Sequence, residues 1–270
     1  MLMPPEDRPI QASAPALIGI RGLDKVYRTR RHGEVHALSD INFDVADGEF
    51  VSLVGPSGCG KSTLLKILAG LVGYNRGEVT LAGSPLRGSS RDIGMVFQSP
   101  VLLPWRTILQ NVLLPTEFYR SSLSPYRDRA RQLLDLVGLA GFEDRYPFEL
   151  SGGMQQRAAI VRALVQDPKV LLMDEPFGAL DAMTREQMNL EVLRIWEANT
   201  KTVLFVTHSI SESVFLADRV VVMTPRPGAV AEIIEIDLPR PRSLEMINSE
   251  AFGRYASRIR TLLHAREDLS

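Results

Sequence analysis

Short apolar runs recur along the chain and divide it into three stretches. Phe50-Val51-Ser52-Leu53-Val54, Val170-Leu171-Leu172-Met173 and Val203-Leu204-Phe205-Val206 are nearly continuous, the mark of strands covered on both faces. Leu17–Ile20, Ile41–Val45, Gly77–Leu81 and Ile93–Phe97 are shorter β-rich segments separated by turns. Between them, residues 99–166 take on helical patterning. Ser124-Pro125 reads there as an N-cap and first-turn proline for a helix ending near Gly138. Thr63–Ala69 reads as a helix stopped by Gly70. Residues 167–225 return to α/β alternation. The pattern predicts a parallel α/β core with a helical lobe of about residues 99–166 inserted in it. Phe252, Tyr255, Ile259 and Leu262 at helical spacing predict a tail helix over 241–270 packed on its own domain.

Composition narrows the class. A chain of 270 residues with 45% hydrophobic content can build a full core. A net charge of −1 argues against a general nucleic-acid partner. The longest apolar runs are about half a dozen residues, far short of the ~20 that span a bilayer. Residues 1–16 are rich in proline and acidic residues and are expected to be a flexible segment rather than a signal peptide. The single cysteine forms no internal disulfide. The chain is expected to be cytosolic, either soluble or docked on another component.

Chemistry enters at Gly55-Pro56-Ser57-Gly58-Cys59-Gly60-Lys61-Ser62-Thr63, which fits G-x-x-x-x-G-K-[ST]. The glycines let backbone N–H groups approach an anion. Lys61 adds a point charge near the β/γ-phosphates, and Ser62 offers a hydroxyl to Mg²⁺. The strand-like run before the loop and the helix after it supply the setting this loop requires. Asp174-Glu175 ends the next apolar run, where ligands bind in open α/β sheets. Asp174 is expected to hold Mg²⁺, and Glu175 to take a proton from a water attacking the γ-phosphate. Thr207-His208 ends the third run in the same way. His208 there could contact the γ-phosphate or position Glu175. The P-loop N–H groups, the helix start and Lys61 are expected to favour a thiolate at Cys59.

Leu150-Ser151-Gly152-Gly153-Met154-Gln155 opens a further helix, with Ser151 as N-cap and two glycines exposing first-turn N–H groups. With one P-loop and one such helix start per chain, the economical arrangement is two chains head-to-tail. Each helix start then caps the other chain's γ-phosphate.

Taken together, these motifs make residues 17–240 resemble the ATP-binding subunits of ABC transporters. The resemblance implies a P-loop NTPase (RecA-like) α/β core with an antiparallel β subdomain and an inserted helical subdomain, binding ATP and Mg²⁺. Gly55–Thr63 looks like Walker A, Gln98 like the Q-loop glutamine and Leu150–Gln155 like the signature motif. Val170–Glu175 is similar to Walker B with its catalytic glutamate, Ala179-Leu180-Asp181 to the D-loop and His208 to the switch histidine. Tyr27 sits where the family places an aromatic that stacks on adenine. Asp181 is also expected to cap the helix beginning near Ala182.

Finer marks are Leu102–Arg106 after Gln98, Phe177–Asp181 and Pro225-Arg226-Pro227-Gly228. They resemble importers of nitrate, sulfonates, taurine and related compounds, as does the short tail, and pyrimidine-precursor importers share the marks. The resemblance implies a second ATPase chain, a transmembrane permease docking near Gln98–Trp105, an extracytoplasmic solute-binding protein, and a place on the cytoplasmic face of the membrane. Exporters, lipid-extraction ATPases and non-transport ABC ATPases remain alternatives. The last usually carry a long coiled-coil insertion or tandem cassettes, and this chain has neither.

Overall fold

The computed structural model describes residues 16–29, 33–118, 124–178, 180–199 and 201–267. The expected flexible segment lies outside these residues except for Ala16, as does Ala179 of the D-loop-like run. Two sheets form. The first is antiparallel, with β1 (Ala16–Thr29) between β2 (Gly33–Ala46) and β4 (Arg76–Leu81), and β5 (Ser84–Pro85) at the edge. The second runs β10 (Val230–Glu235), β9 (Arg219–Met223), β3 (Phe50–Val54), β8 (Thr202–Val206), β7 (Val170–Asp174), β6 (Ile93–Val96). It is parallel except where β9 meets β10.

Every residue of β3, β7 and β8 is buried, which explains their continuous apolar sequences. Alternate residues serve opposite cores, as the pleat requires. Val51 and Leu53 join Leu172, Leu204 and Val206 under α1 (Lys61–Leu68), where the first sheet contributes Ile20, Leu23 and Ile41. Phe50 and Val54 join Leu171, Met173, Val203 and Phe205 on the other face. On that second face Phe205 packs its ring 5.7 Å from Phe177 and 6.0 Å from Phe50. This fixes the loop that follows β7, because Phe177 lies two residues beyond Glu175.

Helices α2 (Ile108–Glu117), α3 (Ser124–Leu136) and α4 (Gly152–Leu164) lie between β6 and β7 and share the second core through Val112, Leu134 and Ile160. Thr107 and Gln110 form a reciprocal capping box at the start of α2. Helix α5 (Ala182–Asn199) precedes β8, and α6 (Ile210–Leu216) links β8 to β9. The tail helix α7 (Glu250–Glu267) buries Phe252 and Ile259 against the second core and packs beside α6, with Tyr255 and Leu262 at its margin. Arg242 anchors the tail by donating to the carbonyls of Val214, Phe215 and Ala217 at the end of α6. Burial lowers its pKa to about 10, so it stays charged at neutral pH.

Candidate nucleotide site

Strand β3 and helix α1 are joined by the phosphate-binding loop. Gly60 stands at the helix start with φ 104°, and no side chain caps the first turn. Those N–H groups are left to face an anion. A Cβ at Gly60 would stand 2.6 Å from Leu38 Cδ2 and 2.8 Å from the Ala37 carbonyl, so only glycine lets β2 lie this close. The turn Pro225–Gly228 lies against the loop, with Gly228 beside the Cys59 carbonyl, and is tied to β2. Gly228 N–H donates to Ala37 O at 3.0 Å and its carbonyl accepts from Ser39 N–H at 2.9 Å.

A cavity of about 440 Å³ opens at this loop. Ser57, Gly58, Gly60, Lys61, Ser62 and Thr63 form its floor. Gln98 and Glu175 stand on one side, and Tyr27, Val35 and Ala37 of the antiparallel sheet also line it. The Tyr27 ring carries the Lys25 ammonium 4.6 Å from its centroid. Lys61 is buried, with Nζ donating to Gly55 O at 2.7 Å and Pro56 O at 3.1 Å.

Gly55, Pro56 and Cys59 do not line the cavity. The expectation of a thiolate at Cys59 is overturned. The thiol is fully buried, and that burial pushes its pKa up more than the Lys61 ammonium beside it pulls it down.

Ser62 and Asp174 are in direct contact, with Ser62 Oγ donating to Asp174 Oδ1 at 2.7 Å. Burial is the main reason that the Asp174 carboxyl titrates above its usual range; the Ser62 hydrogen bond opposes it. Glu175 follows with φ 45°, a left-handed conformation that costs a glutamate roughly 1–2 kcal/mol. Its N–H donates to Val206 O at 2.9 Å, which ties it to the neighbouring strand. His208 Nδ1 lies 3.3 Å from Glu175 Oε2.

The helix start of α4 lies elsewhere. Ser151 caps it, accepting from Met154 N–H at 3.3 Å, and Gln155 donates to Pro147 O and Leu150 O. None of Ser151, Gly152, Gly153 or Gln155 lines the P-loop cavity of the same chain. Asp181 caps α5, accepting from Thr184 N–H at 3.0 Å and Thr184 Oγ1 at 2.6 Å. Those bonds, the hydroxyl's first, hold its pKa low.

Sequence reading passed over Arg226, which lines the cavity although Pro225–Gly228 had been read only as a resemblance mark. It also passed over Glu212, buried four residues after His208. Arg226 reaches the cavity through tertiary contacts alone, whereas Glu212 closes the Ser209-x-x-Glu212 spacing of a helix start, a signal the sequence does carry.

A P-loop after the inner strand β3, an acidic pair on the next strand but one, and an inserted helical lobe define a P-loop ATPase. Comparison with known proteins gives the family. The profile described as ABC transporter matches residues 38–178. An uncharacterized ABC transporter ATP-binding protein of Methanocaldococcus jannaschii is 48% identical over 244 residues, covering 90% of each chain. The aliphatic sulfonates import ATP-binding protein SsuB of Bacillus cereus is 44% identical, covering 86% of this chain and 90% of its own. The taurine import ATP-binding protein TauB of Rhizobium johnstonii is also 44% identical, covering 90% and 95%. A solved structure described as a dimeric post-hydrolysis state of an ATP-binding cassette bound to ADP and Pi superposes with TM-score 0.71 at 35% identity, covering 82% of this chain and all of that one. This chain belongs to the ABC transporter family and is an ATPase cassette of that family.

Proposed function

We propose that the chain is the ATP-hydrolysing subunit of an importer for a small sulfonate-type solute. Two copies work head-to-tail with a permease. The observation that carries the ATPase reading is Glu175 lining the P-loop cavity with His208 3.3 Å away. ATP lies with its phosphates on Gly58–Thr63 and its base toward Tyr27. Lys61 gives a donor to the β/γ-phosphates. Glu175 takes the proton of the attacking water, and His208 holds the Glu175 carboxylate and the γ-phosphate in line. The Ser62 hydroxyl, the Asp174 carboxylate and Gln98 are hard oxygen donors, a set that suits Mg²⁺. When bound, Mg²⁺ would offset the charge that develops on the phosphates.

The second chain supplies Ser151, Gly152, Gly153 and Gln155 to the γ-phosphate, with Asp181 at the chain–chain boundary. This accounts for their place off the cavity of their own chain. The permease docks on the groove of about 560 Å³ between α2 and the end of β6. Leu103, Val101 and Phe118 line it, the last two 56% and 78% exposed. Trp105 stands 71% exposed beside it. Among the described residues no helix is long and apolar enough to cross a membrane. The relatives named as import ATP-binding proteins support placing the cassette on the cytoplasmic face, bound peripherally to the permease, with an extracytoplasmic solute-binding protein on the other side. The solute class follows the printed names of the sulfonate and taurine relatives.

The test is reconstitution of the chain with its cognate permease and solute-binding protein. Taurine and alkanesulfonates are expected to stimulate ATP hydrolysis and enter proteoliposomes. Stimulation by nitrate alone, or outward movement of solute, would contradict the assignment.

A further inference from the structure

Glu212 is a carboxylate that the ATPase reading above leaves without a role, yet it is 6% exposed and sits in the first turn of α6. A buried carboxylate is costly unless it is paired, and this one has two partners on different elements. Its Oε2 accepts from Thr207 Oγ1 at 2.5 Å. Arg185 Nε of α5 faces its Oε1 at 3.5 Å.

The loop that carries His208 is clasped from both sides by these contacts. Thr207 Oγ1 also accepts from Ser209 N–H at 3.0 Å, and Ser209 Oγ accepts from Glu212 N–H at 3.3 Å. His208 is the residue between them. On the other side Arg185 donates from Nη2 to Leu180 O at 3.0 Å. Leu180 and Thr184 in turn lie under the start of α4. A Cβ on Gly153 would stand 2.9 Å from Thr184 Cγ2, and one on Gly152 4.0 Å from Leu180 Cδ2. An unbroken set of contacts therefore joins Gly152–Gly153 to the His208–Glu175 pair within one chain.

We propose that Arg185 and Glu212 are positioning residues that make the placement of His208 against Glu175 depend on the seating of the Leu180–Asp181 loop. The 3.5 Å contact is an ion pair too long for a hydrogen bond, and Arg185 Nε makes no hydrogen bond of its own. A shift of well under ~1 Å in the first turn of α5 closes it. The link then pulls Thr207, and His208 with it, toward α5. This inference rests on the proposed roles of His208 and Glu175. It adds that a loop at the chain–chain boundary sets their geometry.

The test uses the full chain and measures ATP affinity by fluorescent-nucleotide titration and hydrolysis by steady-state kinetics. Glu212→Gln keeps the volume and an acceptor for Thr207 but removes the charge; Arg185→Gln removes the other partner. Each is expected to bind ATP within about twofold of the parent while kcat falls roughly ten- to a hundredfold, the scale of a small misplacement. The double variant is expected to be no worse than the poorer single, since one link is broken in each. Arg185→Lys is expected to return part of kcat.

Wild-type kcat in the single variants would overturn the proposal. So would losses that multiply in the double variant, or losses that appear in ATP affinity and thermal stability alone. A parent chain that binds no ATP would instead refute the proposed function.

Discussion

His208 Nδ1 stands 3.3 Å from Glu175 Oε2, and Glu175 holds φ at 45° to be there. A glutamate gains nothing locally from that backbone conformation. It is kept because Glu175 N–H is bonded to β8 and Phe177 is locked against Phe205. Backbone strain of this kind at a cavity-lining residue motivates the catalytic role proposed for Glu175.

Glu175→Gln keeps the size and the backbone but removes the base. Hydrolysis is expected to slow by roughly 10²–10⁴ with ATP affinity retained. Gel filtration with ATP is then expected to show a trapped dimer. Normal turnover would remove Glu175 from the role.

Asp174 gives a prediction of opposite sign for stability and activity. Burial raises its folded-state pKa, so the native protein favours the protonated form more than the unfolded chain does. The contribution of the protonated form is therefore fully present below the ordinary carboxylate range and is lost as pH rises through the raised value. Asp174→Asn still accepts from Ser62 and is expected to raise Tm by a few degrees at pH 8, while ATP hydrolysis falls. The gain in Tm is expected to shrink on acidification into the ordinary carboxylate range. A Tm difference that grows on acidification would contradict it.

Cys59 is expected to resist maleimide in the native protein and to react fully once unfolded, because the sulfur is buried and its thiol form is favoured. Mass spectrometry before and after denaturation reads this directly. Rapid native labelling would show that the loop opens.

Gly228 tests how the phosphate loop is held. A Cβ there would stand 1.9 Å from the Cys59 carbonyl, so Gly228→Ala must push the loop or the turn away. ATP affinity is expected to fall about tenfold or more, since displacements near 1 Å have effects of this scale. Isothermal titration with ATP measures it, and an unchanged affinity would show that the turn yields instead.

Much of the site was readable because β3, β7 and β8 are covered on both faces. Their apolar runs stand out, and the Gly55–Thr63 loop, Asp174-Glu175 and Thr207-His208 end them in turn. The antiparallel sheet was less legible. β1 and β2 each run 14 residues, yet only Leu17–Ile20 and Ile41–Val45 could be read as strands. Register shifts between Ile20 and Val26 and a half-exposed face break the alternation there. The Cys59 thiolate failed because sequence shows the charges around a sulfur but not its direction. Arg185 and Glu212 are brought together by α5 and α6, 27 positions apart in the sequence, and no local pattern announces such a pair.

If two chains share each ATP as proposed, mixing two complementary inactive variants must restore hydrolysis. Lys61→Ala removes the phosphate contact of one chain, and Ser151→Arg blocks the helix start of the other. Each variant alone is expected to be inactive. Mixed as verified heterodimers, they rebuild one intact composite site, and equal mixing is expected to restore up to about a quarter of wild-type ATPase activity. Verified heterodimers with no recovered hydrolysis would contradict the shared site.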